Sequence, residues 1–191
     1  EIPLRLVGSE MCIRDRLKGK VKIYKDGVGG RSQIIRLIRP VQYFGYRAYF
    51  SREPYVTAAA AIENSIVGFL PMPLVEEHIR KNNGLAWFFI KELSNDLGIS
   101  DARTVNLTQK HIRGRLAESL LVLKENYGVE EDGLTLNIYM AREDLANLSN
   151  MTTSNAIRTL SSFTNEKIIT VDGRRIQIID EERLRKISKF G

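Results

Sequence analysis

The sequence predicts an α+β protein that combines a partial, cupin-like antiparallel β-roll, a long central helix and a C-terminal winged helix-turn-helix. Short β-type segments separated by glycine-containing turns fill residues 18–70. A helical rhythm of apolar residues follows over residues 84–110. Residues 142–179 then form the pattern of two short helices, a three-residue turn between them and a β-hairpin after them.

The first sixteen residues carry no usable structural signal. Residues 6–15 resemble translated sequencing-adapter text found in assembled environmental sequences. They have neither the apolar core of a signal peptide nor a clear helical or strand periodicity. We therefore expect residues 1–16 to be foreign, the first strands of the roll to be missing and the natural protein to be longer at its N-terminus. A native irregular N-terminus is the alternative.

The β-roll is predicted from a series of short strands. Val21–Tyr24 alternates apolar and polar residues, and Ser32–Ile38 continues with β-branched residues after a glycine-rich turn. Tyr43-Phe44-Gly45 is a further strand end. Residues 57–62 and 65–70 are expected to pair with each other through a two-residue turn. Successive short strands at this spacing favour a roll or barrel.

A short helix is predicted over Leu74–Lys81, and a long one follows it. In the long helix Phe89, Leu93 and Leu97 recur at helical spacing, although Gly98 lowers its stability by about 1 kcal/mol relative to alanine. Such a stripe is typical of a dimer seam, and equally of a helix packed on its own roll.

The C-terminal third begins with a predicted helix over Ile112–Asn126, which carries leucines at helical spacing. Leu134–Tyr139 alternates strictly and is predicted to be a strand. A hairpin is predicted from the alternating segments 168–171 and 174–179 around an Asp172-Gly173 turn.

Between these elements lies the helix-turn-helix. Arg142–Leu148 is predicted to be the first helix, and Asn150 suits the left-handed backbone that a tight turn requires. Thr152 is a good N-cap for a second helix over Thr153–Phe163. The second helix of such a unit fits the DNA major groove.

Composition excludes several classes of protein. No apolar run approaches the roughly 18 residues needed to span a bilayer, so a membrane protein is not expected. The sole cysteine, Cys12, rules out an internal disulfide and a cysteine-ligated iron–sulfur cluster, and a cytoplasmic location is expected. The formal charge of +6 fits a polyanionic partner, but residues 109–191 carry only +1 of it.

No pattern of catalytic residues is present. The sequence lacks Ser/His/Asp, Cys/His, Walker and dinucleotide-binding signatures. A metal site of the cupin type needs histidines in the roll, which has none, and His78 and His111 lie in helical segments without a paired ligand. We expect no enzymatic activity, no metal and no cofactor.

The order of elements resembles the Crp/Fnr family of bacterial transcription regulators, which is named for the cyclic AMP receptor protein. The resemblance covers roughly residues 17–180. It lies in Gly114–Leu121, Arg142–Ala146, Ala156–Leu160 with Lys167–Ile169, and in the roll in Gly19–Tyr24 and Tyr43–Gly45.

The resemblance implies three domains and a set of partners. The domains are a partial cyclic-nucleotide-binding-like roll over 17–83, a dimerisation helix and hinge over 84–110, and a winged helix-turn-helix over 111–191. The implied partners are double-stranded DNA, a second copy of the chain, RNA polymerase and an unidentified small-molecule effector. A homodimer of this family places its recognition helices in successive major grooves of a pseudo-palindromic site.

The resemblance also implies which residues contact DNA. Arg158 is expected to bind guanine in bidentate fashion or to hold a phosphate. Thr153 and Ser154 replace the arginine and glutamate common in the family, so the preferred site is expected to differ from the familiar one. Thr152 is expected to cap the helix and donate to a phosphate. The complete expected set is Arg142, Thr152, Thr153, Ser154, Asn155, Arg158, Arg174 and Arg175.

The effector pocket departs from the cyclic-nucleotide pattern. The candidate residues are Gly45, Tyr46, Val56 and Thr57. Tyr46 stands where those members carry the ribose-binding glutamate, and Val56-Thr57 stands for the phosphate-binding Arg-Ser pair. Arg47 could substitute, but strand alternation is expected to point it away. A phosphate buried without a cation or donors would be poorly compensated, so cyclic AMP is not expected to bind.

One further hypothesis remains open. The winged helix could mediate contacts with another protein without specific DNA binding, and the aromatic Trp87-Phe88-Phe89 segment could serve as the partner surface. The near-neutral charge of residues 109–191 is compatible with that reading.

Overall fold

A computed structural model describes residues 12–39 and 41–191, with residues 12–17 described by their backbone alone. Two compact units are present: the residues up to Asp26 with Ile35–Arg103, and Gly27–Ile34 with Thr104–Gly191. No helix in the described ranges is long and apolar enough to cross a bilayer.

The strands are β1 Cys12–Lys18, β2 Val21–Asp26, β3 Ser32–Ile38, β4 Tyr43–Phe44, β5 Ala58–Ala61, β6 Ile66–Pro71, β7 Ile169–Asp172 and β8 Arg175–Ile178. The helices are α1 Tyr46–Ser51, α2 Met72–Lys81, α3 Asn83–Gln109, α4 Ile112–Tyr127, α5 Arg142–Leu148, α6 Thr153–Asn165 and α7 Glu181–Phe190.

The mixed α+β class and the β-roll are confirmed. The roll consists of two three-stranded sheets in the orders β4-β1-β6 and β3-β2-β5. Val21 and Ile23 point into its core, as the alternation predicts, and they pack with Ile38, Phe44 and Ala59.

The predicted pairing of residues 57–62 with 65–70 is wrong. β5 pairs with β2 in the register Val21↔Ala61, whereas β6 pairs with β1 in the register Cys12↔Pro71. The two segments therefore belong to different sheets. The partner of β6 is a strand that includes residues 12–16, where we found no periodicity. Residues 1–11 lie outside the described residues, and the foreign origin of residues 1–16 stays a prediction.

A second difference follows Gly45. This residue has a φ of 95°, a backbone conformation that glycine adopts readily, and the chain then enters α1 instead of continuing as a strand. The strand-alternation argument that pointed Arg47 away from its neighbours is therefore wrong.

The predicted helices α2 and α3 are both present, and α3 runs unbroken for 27 residues through Gly98. Phe89 is buried with Tyr46, Met72 and Val75, so this part of the apolar stripe packs on its own unit. Leu97, by contrast, is 64% exposed. The first part of the stripe therefore packs on its own unit, whereas its later part is uncovered, and the dimer seam stays a prediction.

The C-terminal unit has a separate core beneath the helix-turn-helix. α4, α5, α6 and the β7–β8 hairpin occur as the sequence predicts, and α4 ends at Gly128, whose φ is 73°. The hairpin loop is Gly173-Arg174, one residue later than predicted. Among its large buried side chains are Leu116, Leu120, Leu123, Leu136, Met140, Leu145 and Phe163.

The predicted strand over Leu134–Tyr139 is reduced to isolated bridges, with Leu136 opposite Val129 and Thr135 opposite Gln177. Its alternation is real, because Leu136 and Ile138 are buried. The Asp132 carboxylate, however, accepts the backbone N–H groups of Leu134 and Thr135 at 2.9 and 2.8 Å. These bonds hold a tight turn, so only a short stretch runs alongside β8.

Helix α7 is the main element that the sequence pattern did not predict. The Asp180 carboxylate caps it by accepting from the Arg183 N–H at 2.9 Å, and acidic residues fill its first turn. Leu184 is fully buried. A Cβ atom at Gly114 would lie 2.3 Å from the Gly191 carbonyl oxygen, so glycine permits the close approach of α4 and α7.

Candidate nucleic-acid interface

The turn between α5 and α6 has the geometry of a helix-turn-helix. Asn150 has a φ of 50°, as predicted, and the Met151 N–H donates to the Ala146 carbonyl at 3.0 Å. The buried hydroxyls of Ser149 and Ser119 form a hydrogen bond of 2.8 Å, which fixes the turn to α4. The turn therefore sets the angle between the two helices through backbone geometry and a buried polar contact.

Thr152 starts α6 as its N-cap. Its Oγ1 accepts from the Asn155 N–H at 3.3 Å, while the side chain itself is exposed. At the corresponding position before α5, Ala141 provides no side-chain cap. The Thr152 cap therefore holds the first turn of α6, and the N-terminus of this helix faces solvent.

The outward face of α6 carries the residues expected to contact DNA. Ser154 and Arg158 are exposed, and Thr153 and Asn155 are half-buried. Arg158 Nη2 donates to Asn155 Oδ1 at 2.5 Å, so the guanidinium lies along the outer surface of the helix. The opposite face is core, and the residues that form it are Ala156, Thr159, Leu160 and Phe163.

One outward residue of α6 was absent from the sequence prediction. Ile157 is 46% exposed, between the predicted contacts Ser154 and Arg158. The 3.6-residue spacing from Ser154 could have identified it, but an isoleucine in an apolar-periodic helix is ordinarily assigned to the core.

The β7–β8 hairpin presents the predicted wing arginines differently. Arg174 is exposed in the turn, beside Gly173 with its φ of 55°. Arg175 pairs with Glu130 at 2.5 Å and lies 5.8 Å from the centre of the Tyr139 ring. A phosphate at Arg175 would therefore compete with an existing carboxylate.

Arg142 connects the start of α5 to the hairpin. Its Nη2 donates to the Gly173 carbonyl at 2.5 Å. Its Nη1 is buried and has no hydrogen-bond partner among the described residues. The side chain also lines an open groove of about 350 Å³ beside α6, formed with Ile157, Leu160, Ser161, Thr164, Asn165 and Val171.

The far end of α6 is fixed by a charged cluster. Hydrogen bonds from the Ser162 hydroxyl and the Arg113 guanidinium hold the pKa of Glu166 below its usual range. Arg183 of α7 adds a third contact to the same carboxylate at 3.2 Å. The C-terminal end of α6 is thereby tied to α4 and α7.

The roll contains a separate cavity of about 130 Å³, open to solvent. Three of the four predicted pocket residues, Gly45, Val56 and Thr57, line it. The remaining lining residues are Ile23, Ile35, Arg36, Phe44, Arg47, Ala48 and Tyr55. Arg47 reaches it from α1 and pairs with Glu53 at 2.9 Å.

Tyr46, the fourth candidate pocket residue, does not line the cavity. It is buried, and its hydroxyl donates to Asp96 Oδ2 at 3.0 Å. Burial, reinforced by the Asp96 charge, raises the pKa of Tyr46 to about 12. Arg36 Nη1 lies 2.5 Å from the same carboxylate oxygen, so Arg36 joins the cavity wall to α3.

Comparisons with known proteins match both parts of the chain. A Crp-like helix-turn-helix domain model matches residues 114–187, and a cyclic nucleotide-binding domain model matches residues 17–82. A CRP-like cAMP-activated global transcriptional regulator of Mycobacterium tuberculosis is 24% identical over 169 residues, which cover 88% of this chain and 75% of that protein. An anaerobic regulatory protein of Bacillus subtilis is 26% identical over 156 residues, which cover 81% of this chain and 66% of that protein.

Solved structures agree on the fold. FixK2 from Bradyrhizobium japonicum superposes with a TM-score of 0.83 at 22% identity, covering 95% of this chain and 91% of that one. A transcriptional regulator of the CRP/FNR family from Thermus thermophilus gives a TM-score of 0.77 at 22% identity, covering 93% and 88%.

Proposed function

Because this chain belongs to the Crp/Fnr family of DNA-binding transcription regulators, we propose that it binds a pseudo-palindromic DNA site as a homodimer. Members of this family are regulators and not enzymes. The observation that carries the proposal is the polar outward face of α6, which is capped, exposed and flanked by a hairpin with an arginine in its turn. In helix-turn-helix proteins the corresponding helix lies in the major groove.

In this proposal the predicted residues divide into three groups. Arg158 reads a guanine edge, and Thr153, Ser154 and Asn155 contact neighbouring bases or phosphates. Thr152 and Arg174 hold the DNA backbone, as does Arg175 once it leaves Glu130. Arg142 sets the wing turn through its bond to Gly173, and its side chain lines the groove beside α6.

The homodimer is proposed to form along α3. Trp87, Ile90 and Leu97 are 66%, 49% and 64% exposed, and Val105 is 50% exposed. Their spacing of three, seven and eight residues keeps them on one side of the helix, beside the face that buries Phe89. A second copy of the same helix would cover this stripe.

The roll is proposed to sense a small effector other than cyclic AMP. Its cavity of about 130 Å³ is close to a benzene-binding cavity of roughly 150 Å³ and is small for a nucleotide. Both arginines in its wall are already paired, Arg36 with Asp96 and Arg47 with Glu53. The phosphate of cyclic AMP would therefore have to displace Asp96 or Glu53 before it could pair with an arginine.

The domain limits 17–83, 84–110 and 111–191 are proposed to mark the sensing, dimerising and DNA-binding parts. A location in the cytoplasm and a contact with RNA polymerase follow from the proposed regulatory role.

The alternative is a winged helix that binds a protein partner instead of specific DNA. The observation in its favour is the net charge of +1 over residues 109–191. With so small a net charge, this segment would attract DNA only where its basic residues cluster on the surface.

Fluorescence anisotropy with labelled genomic duplexes separates the two. A regulator that neutralises six to ten phosphates should lose roughly 10³–10⁵ in affinity between about 50 and 200 mM salt. Salt-insensitive binding, or no binding at low salt, would contradict DNA recognition and favour the protein-contact module.

A further inference from the structure

Ile157 is an apolar side chain on an otherwise polar recognition surface. It lies in the second turn of α6 and is 46% exposed. The other large apolar residues of this helix, Leu160 and Phe163, are 3% and 0% exposed. Ile157 therefore does not belong to the core that holds α6 in place.

The neighbours of Ile157 leave it prominent. One turn before and one turn after it on the same side are Ser154 and Ser161, both exposed and both shorter than isoleucine. A β-branched residue in a helix is largely restricted to one χ1 rotamer, so the position of this apolar surface is well defined. Ile157 also lines the open groove beside α6, which keeps the side chain accessible.

The DNA major groove offers one apolar group on its base edges, the 5-methyl group of thymine. An exposed isoleucine beside Arg158 would present its methyl groups to a base edge next to the one that the guanidinium reaches. We propose that Ile157 is a specificity-determining residue that packs against the 5-methyl of a thymine in each half-site. This inference rests on the proposed DNA-binding function.

The test removes the methyl group from the DNA and the isoleucine from the protein separately. Wild-type protein is first used to select its preferred duplex, and each thymine of one half-site is then replaced in turn by deoxyuridine. Burial of one methyl group is worth about 0.8 kcal/mol, so deoxyuridine at the contacted position should weaken binding about fourfold.

The protein variants locate the contact. In Ile157→Ala the fourfold penalty should disappear, because no isoleucine remains to contact the methyl group, while Ile157→Val should keep most of it. Ile179→Ala is a matched control: Ile179 is 45% exposed and follows the hairpin, and this variant should keep the full penalty. Circular dichroism should show that all three variants are folded, since none removes a buried side chain.

Three outcomes would overturn the inference. One is that deoxyuridine does not weaken binding at any thymine position. A selected half-site that contains no thymine would overturn the inference in the same way. Another is a penalty that persists unchanged in Ile157→Ala, because a different residue would then read the methyl group. Failure of the wild-type protein to bind any duplex would refute the proposed function itself, and the inference with it.

Discussion

Arg158 is the side chain on which sequence discrimination depends most in this account. Its guanidinium is exposed and held by Asn155, so its removal should leave the fold unchanged. We expect Arg158→Ala to weaken specific binding by about 1–3 kcal/mol, the value of one bidentate contact with guanine. The measurement is anisotropy on the selected site and on a site mutated at the contacted guanine.

Arg185→Ala is the control for this prediction. Arg185 is an exposed arginine of α7 that pairs with Glu181, away from α6. Its loss should leave the ratio of specific to non-specific affinity unchanged. If Arg158→Ala also left that ratio unchanged, Arg158 would have no part in reading the sequence.

Tyr46 gives a prediction about the stability of the roll. Its pKa rises from 10.0 to about 12 in the folded state, so folding favours its protonated form. The resulting stabilisation is fully present below pH 10 and is lost as the pH rises from 10 to 12. We expect the free energy of unfolding to fall over this range, and to fall less steeply in Tyr46→Phe.

Urea unfolding followed by tryptophan fluorescence can measure this, because Trp87 is the sole tryptophan and lies in α3 of the same unit. Tyr24→Phe, on β2, is the control for the loss of a tyrosine hydroxyl elsewhere in the roll. Identical slopes for Tyr46→Phe and wild type would show that the raised pKa of Tyr46 does not contribute to stability.

At the scale of elements, local patterns predicted the C-terminal unit best. Its main signals depend on interactions between residues that are close in the sequence. These signals are the cap at Thr152, the left-handed backbone of Asn150 and the leucines of α4. The outward residues of α6 follow from that helix, with Ile157 as the omission. Arg142 and Arg175 lie in the helix and the strand predicted for them, but their bonds to Gly173 and Glu130 join segments 31 and 45 residues apart. No local pattern contains such contacts.

The roll was predicted less well for the same physical reason. Strand alternation identifies which face of β2 is buried, but it does not choose the partner of β5 or β6. The helix α1 begins at Tyr46, directly after Gly45, where the sequence shows only a strand end. The cavity residues Arg36 and Tyr55 come from segments that lie far apart in the chain.

Helix α3 should hold the dimer together through its uncovered stripe. We expect Leu97→Glu to shift the protein towards monomer, because the carboxylate would be buried against the partner helix without a counter-charge. Sedimentation velocity at micromolar concentration measures this directly. Asn95→Glu, exposed on another side of α3, should sediment as the wild type does. A monomeric wild-type protein would contradict the role given to α3.

The roll cavity predicts that cyclic AMP does not bind. Its volume is small, and the carboxylates of Asp96 and Glu53 already engage its arginines. Titration calorimetry should give no heat of binding, and the thermal unfolding midpoint should not move with added cyclic AMP. Micromolar binding would show that the cavity opens and that an arginine leaves its carboxylate.

At the scale of the whole molecule, charge alone does not identify the partner. The chain carries a net charge of +6. Residues 109–191, which contain the proposed DNA-binding helix α6, contribute only +1 of it. Arg158 and Arg174 are exposed basic groups of this segment that could contact DNA in spite of its low net charge. In the proposed homodimer, specificity would come from two α6 helices acting together at a fixed distance.

Selection of genomic fragments bound by the purified protein, followed by sequencing, tests this claim most directly. We expect enrichment of a two-fold pseudo-palindrome whose half-sites are separated by about 10–10.5 base pairs, one helical turn. Recovery of fragments with no shared motif, or of a single unrepeated half-site, would contradict a dimer that reads DNA through α6.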